Sequence, residues 1–154
     1  MPGPTSKQPT SSKRLGASLA NRPRLLLVDD EAPVLASTAA LLSEDYDVET
    51  ADNGRAALAL LTKMEFDIVC TDLNMPGMGG FELLRRVSEM PGHIGRVLIT
   101  GYREYLDRAP DERSWFLVVK PYDPAHLLKV IERAWSATQL RRTAAEAARL
   151  TSKV

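Results

Sequence analysis

Apolar positions along the chain alternate between two patterns. Short unbroken runs, such as Leu25-Leu26-Leu27-Val28 and Val97-Leu98-Ile99, are separated by stretches in which apolar residues recur every three or four positions. Unbroken runs of this length fit strands buried on both faces of a parallel sheet, and the longer spacing fits amphipathic helices. The pattern predicts a first strand over Leu25–Val28, then a helix in which Val34, Thr38, Leu41 and Leu42 keep helical spacing to about Ser43. Pro33 suits the first turn of that helix, and the acids ahead of it are favoured by the helix dipole. A second strand follows over Tyr46–Ala51. Asp52-Asn53-Gly54 then reads as a turn and N-cap for a helix through Ala57, Leu58, Leu60 and Leu61. Phe66–Thr71 is predicted as a third strand, Phe81–Val87 as a helix, Arg96–Thr100 as a fourth strand and Trp115–Val119 as a fifth. Asp123-Pro124 opens the last helix, whose apolar face uses Leu127, Leu128, Ile131 and Trp135. Between the last two strands, Tyr102–Arg113 is polar, contains Pro110 and offers only Tyr105 and Leu106 for burial, so any helix there is short. Strands alternating with helices imply βα units and an α/β fold with a parallel sheet.

The two ends differ from this core. Residues 1–22 carry only Lys7, Lys13, Arg14 and Arg22 as ionisable side chains and almost nothing that can be buried, which predicts a disordered basic tail. The folded domain is expected over residues 23–136. Residues 137–154 extend the helical pattern: Gln139–Val154 lacks Gly and Pro, has high helix propensity, and is made basic by Arg141, Arg142, Arg149 and Lys153. That extension fits a coiled stalk, a partner-binding helix or a fraying end, and a homodimer through it is one expectation.

Composition narrows the class. The 154 residues are 44% hydrophobic and 26% charged with a formal net charge of zero, which gives no general electrostatic case for nucleic acid or a membrane surface. The single cysteine, Cys70, excludes an intramolecular disulfide and lies in an apolar run, where it reads as a small core residue. No stretch is apolar for long enough to span a membrane, and the N-terminus has no apolar signal core, so a cytoplasmic location is expected.

Candidate chemistry appears when the strand ends are compared. The first strand ends in Asp29-Asp30, the third in Asp72, the fourth in Thr100 and the fifth in Lys120. In a parallel sheet these ends face one way, toward the crevice where open α/β sheets bind ligands. Clustered carboxylates raise each other's pKa unless a cation is present, and Mg²⁺ suits a few carboxylate oxygens while keeping exchangeable waters. Phosphoryl transfer needs positioning and charge neutralisation, which the metal, Lys120 and the Thr100 hydroxyl can supply, and Asp72 can act as the nucleophile by forming an acyl phosphate.

The motifs Leu27-Val28-Asp29-Asp30-Glu31, Asp72-Leu73-Asn74-Met75-Pro76-Gly77-Met78-Gly79-Gly80, Thr100-Gly101 and Lys120-Pro121 together resemble the receiver domain of two-component response regulators, over about Arg24 to Trp135. The resemblance implies a flavodoxin-like, doubly wound five-stranded sheet in the order 2-1-3-4-5. It implies that Asp72 accepts a phosphoryl group from the phosphohistidine of a sensor histidine kinase or a histidine phosphotransfer protein. Mg²⁺ would be held by Asp29, Asp30, Asp72 and the backbone carbonyl of Asn74. Thr100 would bind the phosphoryl group and shift toward it, Lys120 would pair with the aspartate and then the phosphate, and the bond before Pro121 would be cis. Such a protein signals through a partner and catalyses only its own phosphorylation and dephosphorylation.

Three features modify that expectation. The family usually has an aromatic residue three positions before the lysine, where Leu117 stands here, and a full helix where Tyr102–Arg113 lies. Both changes fall on the output side and predict an unusual readout, or a role in taking or relaying phosphate. Gly101 leaves room beside Thr100 for water or a partner, or serves backbone geometry alone. Only a helix follows the domain in this sequence, so a single-domain regulator is expected. A phosphate-independent pseudo-receiver adaptor is the competing reading. A haloacid-dehalogenase-type phosphatase would need a second Asp where Asn74 stands.

Overall fold

The computed structural model describes residues 21–101 and 115–152. The expected tail up to residue 20 and the expected short helix in Tyr102–Arg113 lie outside the described residues. Nine elements follow in order: β1 (Arg24–Val28), α1 (Ala32–Leu42), β2 (Asp47–Ala51), α2 (Gly54–Lys63), β3 (Ile68–Asp72), α3 (Gly80–Ser88), β4 (Gly95–Thr100), β5 (Phe116–Val119) and α4 (Pro124–Thr151). The strands form one parallel sheet in the order β2-β1-β3-β4-β5, the flavodoxin-like order.

Residue alternation along the strands divides the core into two layers. Leu25, Leu27, Ile68, Cys70, Val97, Ile99 and Val118 pack with Leu42 of α1 and with Leu127, Val130, Ile131 and Ala134 of α4. Leu26, Val28, Val69 and Leu98 point to the other face and pack with Ala57 of α2 and with Leu83, Leu84 and Val87 of α3. The unbroken apolar runs of β1 and β3 are therefore explained by helices on both sides of the central strands. Helix starts follow local chemistry: Asn53 Oδ1 accepts the Ala56 N–H at 2.8 Å, and Asp123 Oδ1 accepts the His126 N–H at 2.9 Å.

Packing reaches beyond the expected domain limits at both ends. Arg22 donates to the Ser43 carbonyl at 2.8 Å. Helix α4 runs without a break past Trp135: Thr138 is buried against Gly95, where a Cβ would come within 2.8 Å of the Thr138 hydroxyl. One turn later the Arg142 guanidinium pairs with Asp67 at 2.8 Å, donates twice to the His93 carbonyl at 3.1 and 2.8 Å, and lies 5.4 Å from the Trp135 ring centre. Asp67 also accepts the Arg24 N–H at 2.8 Å, so its carboxylate ties α4 to the start of β1. Beyond this anchor, Leu150 is 66% exposed, and Leu140 just before it is 71% exposed. Among the described residues no helix is long and apolar enough to cross a membrane.

Candidate phosphoacceptor site

Parallel register brings the chemistry to one rim. Val28 lies beside Thr71 and Ala51, Asp72 beside Ile99, and Thr100 beside Val119. Bonds beyond the ladder prolong the alignment: Asp29 N–H to the Ala51 carbonyl at 3.2 Å, Leu73 N–H to Ile99 at 2.9 Å, and Lys120 N–H to Thr100 at 2.7 Å. Asp29, Asp72, Thr100 and Lys120 therefore leave the sheet at the same edge. One carboxylate oxygen from each of Asp29, Asp30 and Asp72 lies within 4.8 Å of the others. Lys120 Nζ is 3.4 Å from Asp72 Oδ1.

The members of this cluster sit at different depths. Asp29 is buried, and its Oδ1 accepts the Glu31 N–H at 2.9 Å, which fixes the carboxylate from the N-cap residue of α1. Asp30 is exposed at the mouth. The Asp72 side chain is 13% exposed and that of Lys120 32%. Thr100 is buried at the end of β4, Gly101 is exposed, and the Lys120–Pro121 peptide is cis. Asn74 is exposed and lines an open depression of about 420 Å³ together with Asp30 and the Met75–Gly77 turn. A larger cleft of about 640 Å³, between Arg142 and Pro91–Ile94, shares no residue with it.

Electrostatics follow from this crowding. Burial pushes the Asp72 carboxyl above its ordinary value and Asp29 pushes it further, against the pull of Lys120 and of the Leu73 N–H. Burial alone would lower the Lys120 ammonium, but Asp72 and Asp29 outweigh it and hold the group above its ordinary value. Cys70, buried one strand residue behind Thr71, is pushed up to about 12 by burial and by Asp29 and Asp72, so it stays a neutral core thiol.

Two parts of the site went unread in the sequence. Gly80 looked like turn punctuation, yet it is the first residue of α3 and packs against the backbone of Asp72 itself. A Cβ there would collide with the Asp72 carbonyl oxygen and approach Leu73 Cα to 2.9 Å, while the Gly80 N–H bonds to the Leu73 carbonyl at 2.9 Å. The signal available was the Gly79-Gly80 pair, seven and eight residues after the aspartate. The second part lies around Leu117, which is half-buried and paired with Leu98. Trp115, two residues earlier, meets Phe81 of α3 with ring centres 5.8 Å apart and planes at 60°.

Comparison with known proteins agrees with this geometry. The response regulator receiver domain family matches residues 25–132. An uncharacterised response regulatory protein of Yersinia pestis is 32% identical over 114 residues, covering 71% of this chain and 47% of that protein. The response regulator PleD of Caulobacter vibrioides is 45% identical over 109 residues, covering 68% of this chain and 24% of PleD. This chain thus spans less than half the length of both relatives. The chemotaxis response regulator CheY4 of Vibrio cholerae superposes with a TM-score of 0.64 at 30% identity, covering 73% of this chain and 98% of that one. With the sheet order, the acidic rim and the family match in agreement, the chain belongs to the receiver-domain family of two-component response regulators.

Proposed function

We propose that Asp72 is a phosphoacceptor that takes a phosphoryl group from the phosphohistidine of a sensor kinase or histidine phosphotransfer protein. The observation that carries this reading is the rim itself: three carboxylates within 4.8 Å of one another, with Lys120 Nζ 3.4 Å from Asp72. An Asp72 carboxylate oxygen attacks phosphorus, the P–N bond to the donor imidazole breaks, and an acyl phosphate forms. Lys120 leaves the carboxylate for a phosphoryl oxygen, and the Thr100 hydroxyl takes another. Exposed Gly101 keeps the approach open.

The donor set fits Mg²⁺. It consists of carboxylate oxygens, and the upward push on Asp72 from burial and Asp29 is what a bound divalent cation would relieve. Asp29, Asp30, Asp72 and the Asn74 carbonyl would hold the ion, which when bound supplies charge neutralisation for the transferred group.

Donor and effector proteins need surfaces. Helix α1 starts beside Asp29 and Asp30, contains no charged residue, and buries only Thr38 and Leu42, which supports it as a docking face for the phosphodonor. Leu140 and Leu150, exposed on the last turns of α4, support an effector or a second copy of the chain binding there. With Leu117 in place of an aromatic, that position has no ring to swing inward when Thr100 shifts.

The test is phosphorylation by acetyl phosphate. Mg²⁺-dependent, acid-labile incorporation is expected in the parent and none in Asp72→Asn. Unimpaired labelling of that variant refutes the assignment, and partner binding indifferent to Asp72→Ala would favour a phosphate-independent adaptor.

A further inference from the structure

Strand β3 is apolar until its last two residues. Ile68, Val69 and Cys70 are followed by Thr71, which is fully buried, and then by Asp72. Packing alone calls for valine at Thr71, which has the same shape without the oxygen, because burying a hydroxyl costs free energy unless it is hydrogen-bonded. Here the hydroxyl is bonded: Thr71 Oγ1 donates to the Asp72 backbone carbonyl at 3.0 Å.

That carbonyl belongs to the peptide group joining Asp72 to Leu73, which is held from several directions. Pairing of β3 with β1 ends at Thr71 beside Val28, one residue short of Asp72, and the Thr71 hydroxyl gives the Asp72 carbonyl a donor where that ladder stops. The Leu73 N–H, at the other end of the same peptide, donates to the Ile99 carbonyl of β4 at 2.9 Å and also steadies the charged Asp72 carboxylate. Gly80 closes over the carbonyl oxygen and leaves no room there for a Cβ. A planar peptide group turns as one piece, so releasing its oxygen also swings its N–H away from the carboxylate. Thr71 therefore reaches the reacting group through backbone, and Asp has a short side chain that inherits any error in its backbone.

We infer that Thr71 is a positioning residue for the phosphoacceptor: its hydroxyl holds the Asp72–Leu73 peptide in the orientation that presents the carboxylate to the phosphodonor. The inference rests on the phosphoacceptor reading of Asp72, and labelling of the parent chain tests that reading separately.

Matched substitutions isolate the oxygen atom. Thr71→Val keeps the shape and loses the hydroxyl, Thr71→Ser keeps the hydroxyl and loses the methyl group, and Thr71→Ala loses both. The full chain and each variant are treated with acetyl phosphate and Mg²⁺ under conditions where urea unfolding shows them fully folded, and phosphoaspartate formation is followed by intact mass. Thr71→Val should label about three- to tenfold more slowly than the parent, the factor that one ordinary hydrogen bond carries. Thr71→Ser should have a lower urea midpoint, because a buried methyl group is gone, yet label at the parental rate. A role in packing alone predicts the reverse order, with Thr71→Ser the more impaired. Labelling of Thr71→Val at the parental rate, or Thr71→Ser slowed as much as Thr71→Val, overturns the inference. If Thr71→Val fails to fold, Thr71→Ser and Thr71→Ala decide: slower labelling in Thr71→Ala supports the positioning role, and equal rates overturn it. Absence of any mass increase in the parent overturns the phosphoacceptor reading and the inference with it.

Discussion

Replacing Gly80 with alanine adds one methyl group at the point where α3 rests on the phosphoacceptor strand. Its Cβ would overlap the Asp72 carbonyl oxygen and stand 2.9 Å from both Leu73 Cα and Leu98 Cδ1. Two of these three neighbours are backbone, which cannot swing aside as a side-chain tip can. Overpacking of a tight site costs about 1–3 kcal/mol. Against it, alanine gains helix propensity over glycine, worth at most about 1 kcal/mol and less at the first position of a helix. The net destabilisation is therefore roughly 1–2 kcal/mol, read as a lower urea midpoint at unchanged slope. Function should suffer more than stability, because the relief comes from moving Asp72 itself. A misplacement of about 1 Å can cost on the order of 10²-fold in rate, so a loss of at least about tenfold in labelling by acetyl phosphate is expected under conditions where the variant is fully folded. Unchanged stability together with unchanged labelling would refute the claim that Gly80 is a close-contact residue. Gly92→Ala, where among the described residues no atom lies within 4 Å but φ is +86°, should cost stability through backbone strain and leave labelling unchanged; an equal loss of labelling there would show that the effect is not specific to the Gly80 contact.

Four further outcomes follow. Among the described residues a Cβ at Gly101 meets only Lys120 Cβ at 3.9 Å, so Gly101→Val should fold like the parent but exchange its phosphoryl group more slowly with small donors and water, measured as formation and decay of phosphoaspartate. In the metal-free protein Asp72 is held above its ordinary pKa, so its ionised form costs the fold stability. That cost is absent at low pH, appears as pH rises through the ordinary carboxylate range, and is complete above the folded-state pKa. Metal-free Asp72→Asn should accordingly melt at or above the parent temperature at pH 7, with the difference shrinking as pH falls; a lower melting temperature at pH 7 contradicts the sign. Arg142→Ala removes the 2.8 Å pair with Asp67 and both bonds to the His93 carbonyl from a partly exposed site, which should cost about 1–2 kcal/mol and speed hydrogen exchange in the last turns of α4. Cys70, with its thiol pushed up to about 12 and no exposure, should resist alkylation at pH 7 until the protein is denatured.

What the sequence made legible was whatever depends on short-range pattern and on the symmetry of a parallel sheet. The runs around Leu25–Val28 and Ile68–Thr71 announce strands covered on both faces, and once all strands point one way, Asp29, Asp72, Thr100 and Lys120 must share a rim. Asn53 and Asp123 announce their helices because capping is a three-residue affair. The contacts that were not legible join residues with no common period. Arg142 and Asp67 are 75 residues apart, and nothing in a basic helical stretch marks one arginine as the anchor. Gly80 could be read as a turn residue because sequence shows the absence of a side chain but not the carbonyl oxygen that requires it. Phe81 fell in with Leu84 and Val87 on one apolar helix face, yet its ring meets Trp115 while Leu84 and Val87 are buried beneath. Helical spacing fixes which residues share a face, and only the neighbouring strand decides which of them stands at its edge. The same limit applies to Leu117: a strand position known only by its count from Lys120 says which aromatic is missing, whereas the packing around it identifies the rings that are there.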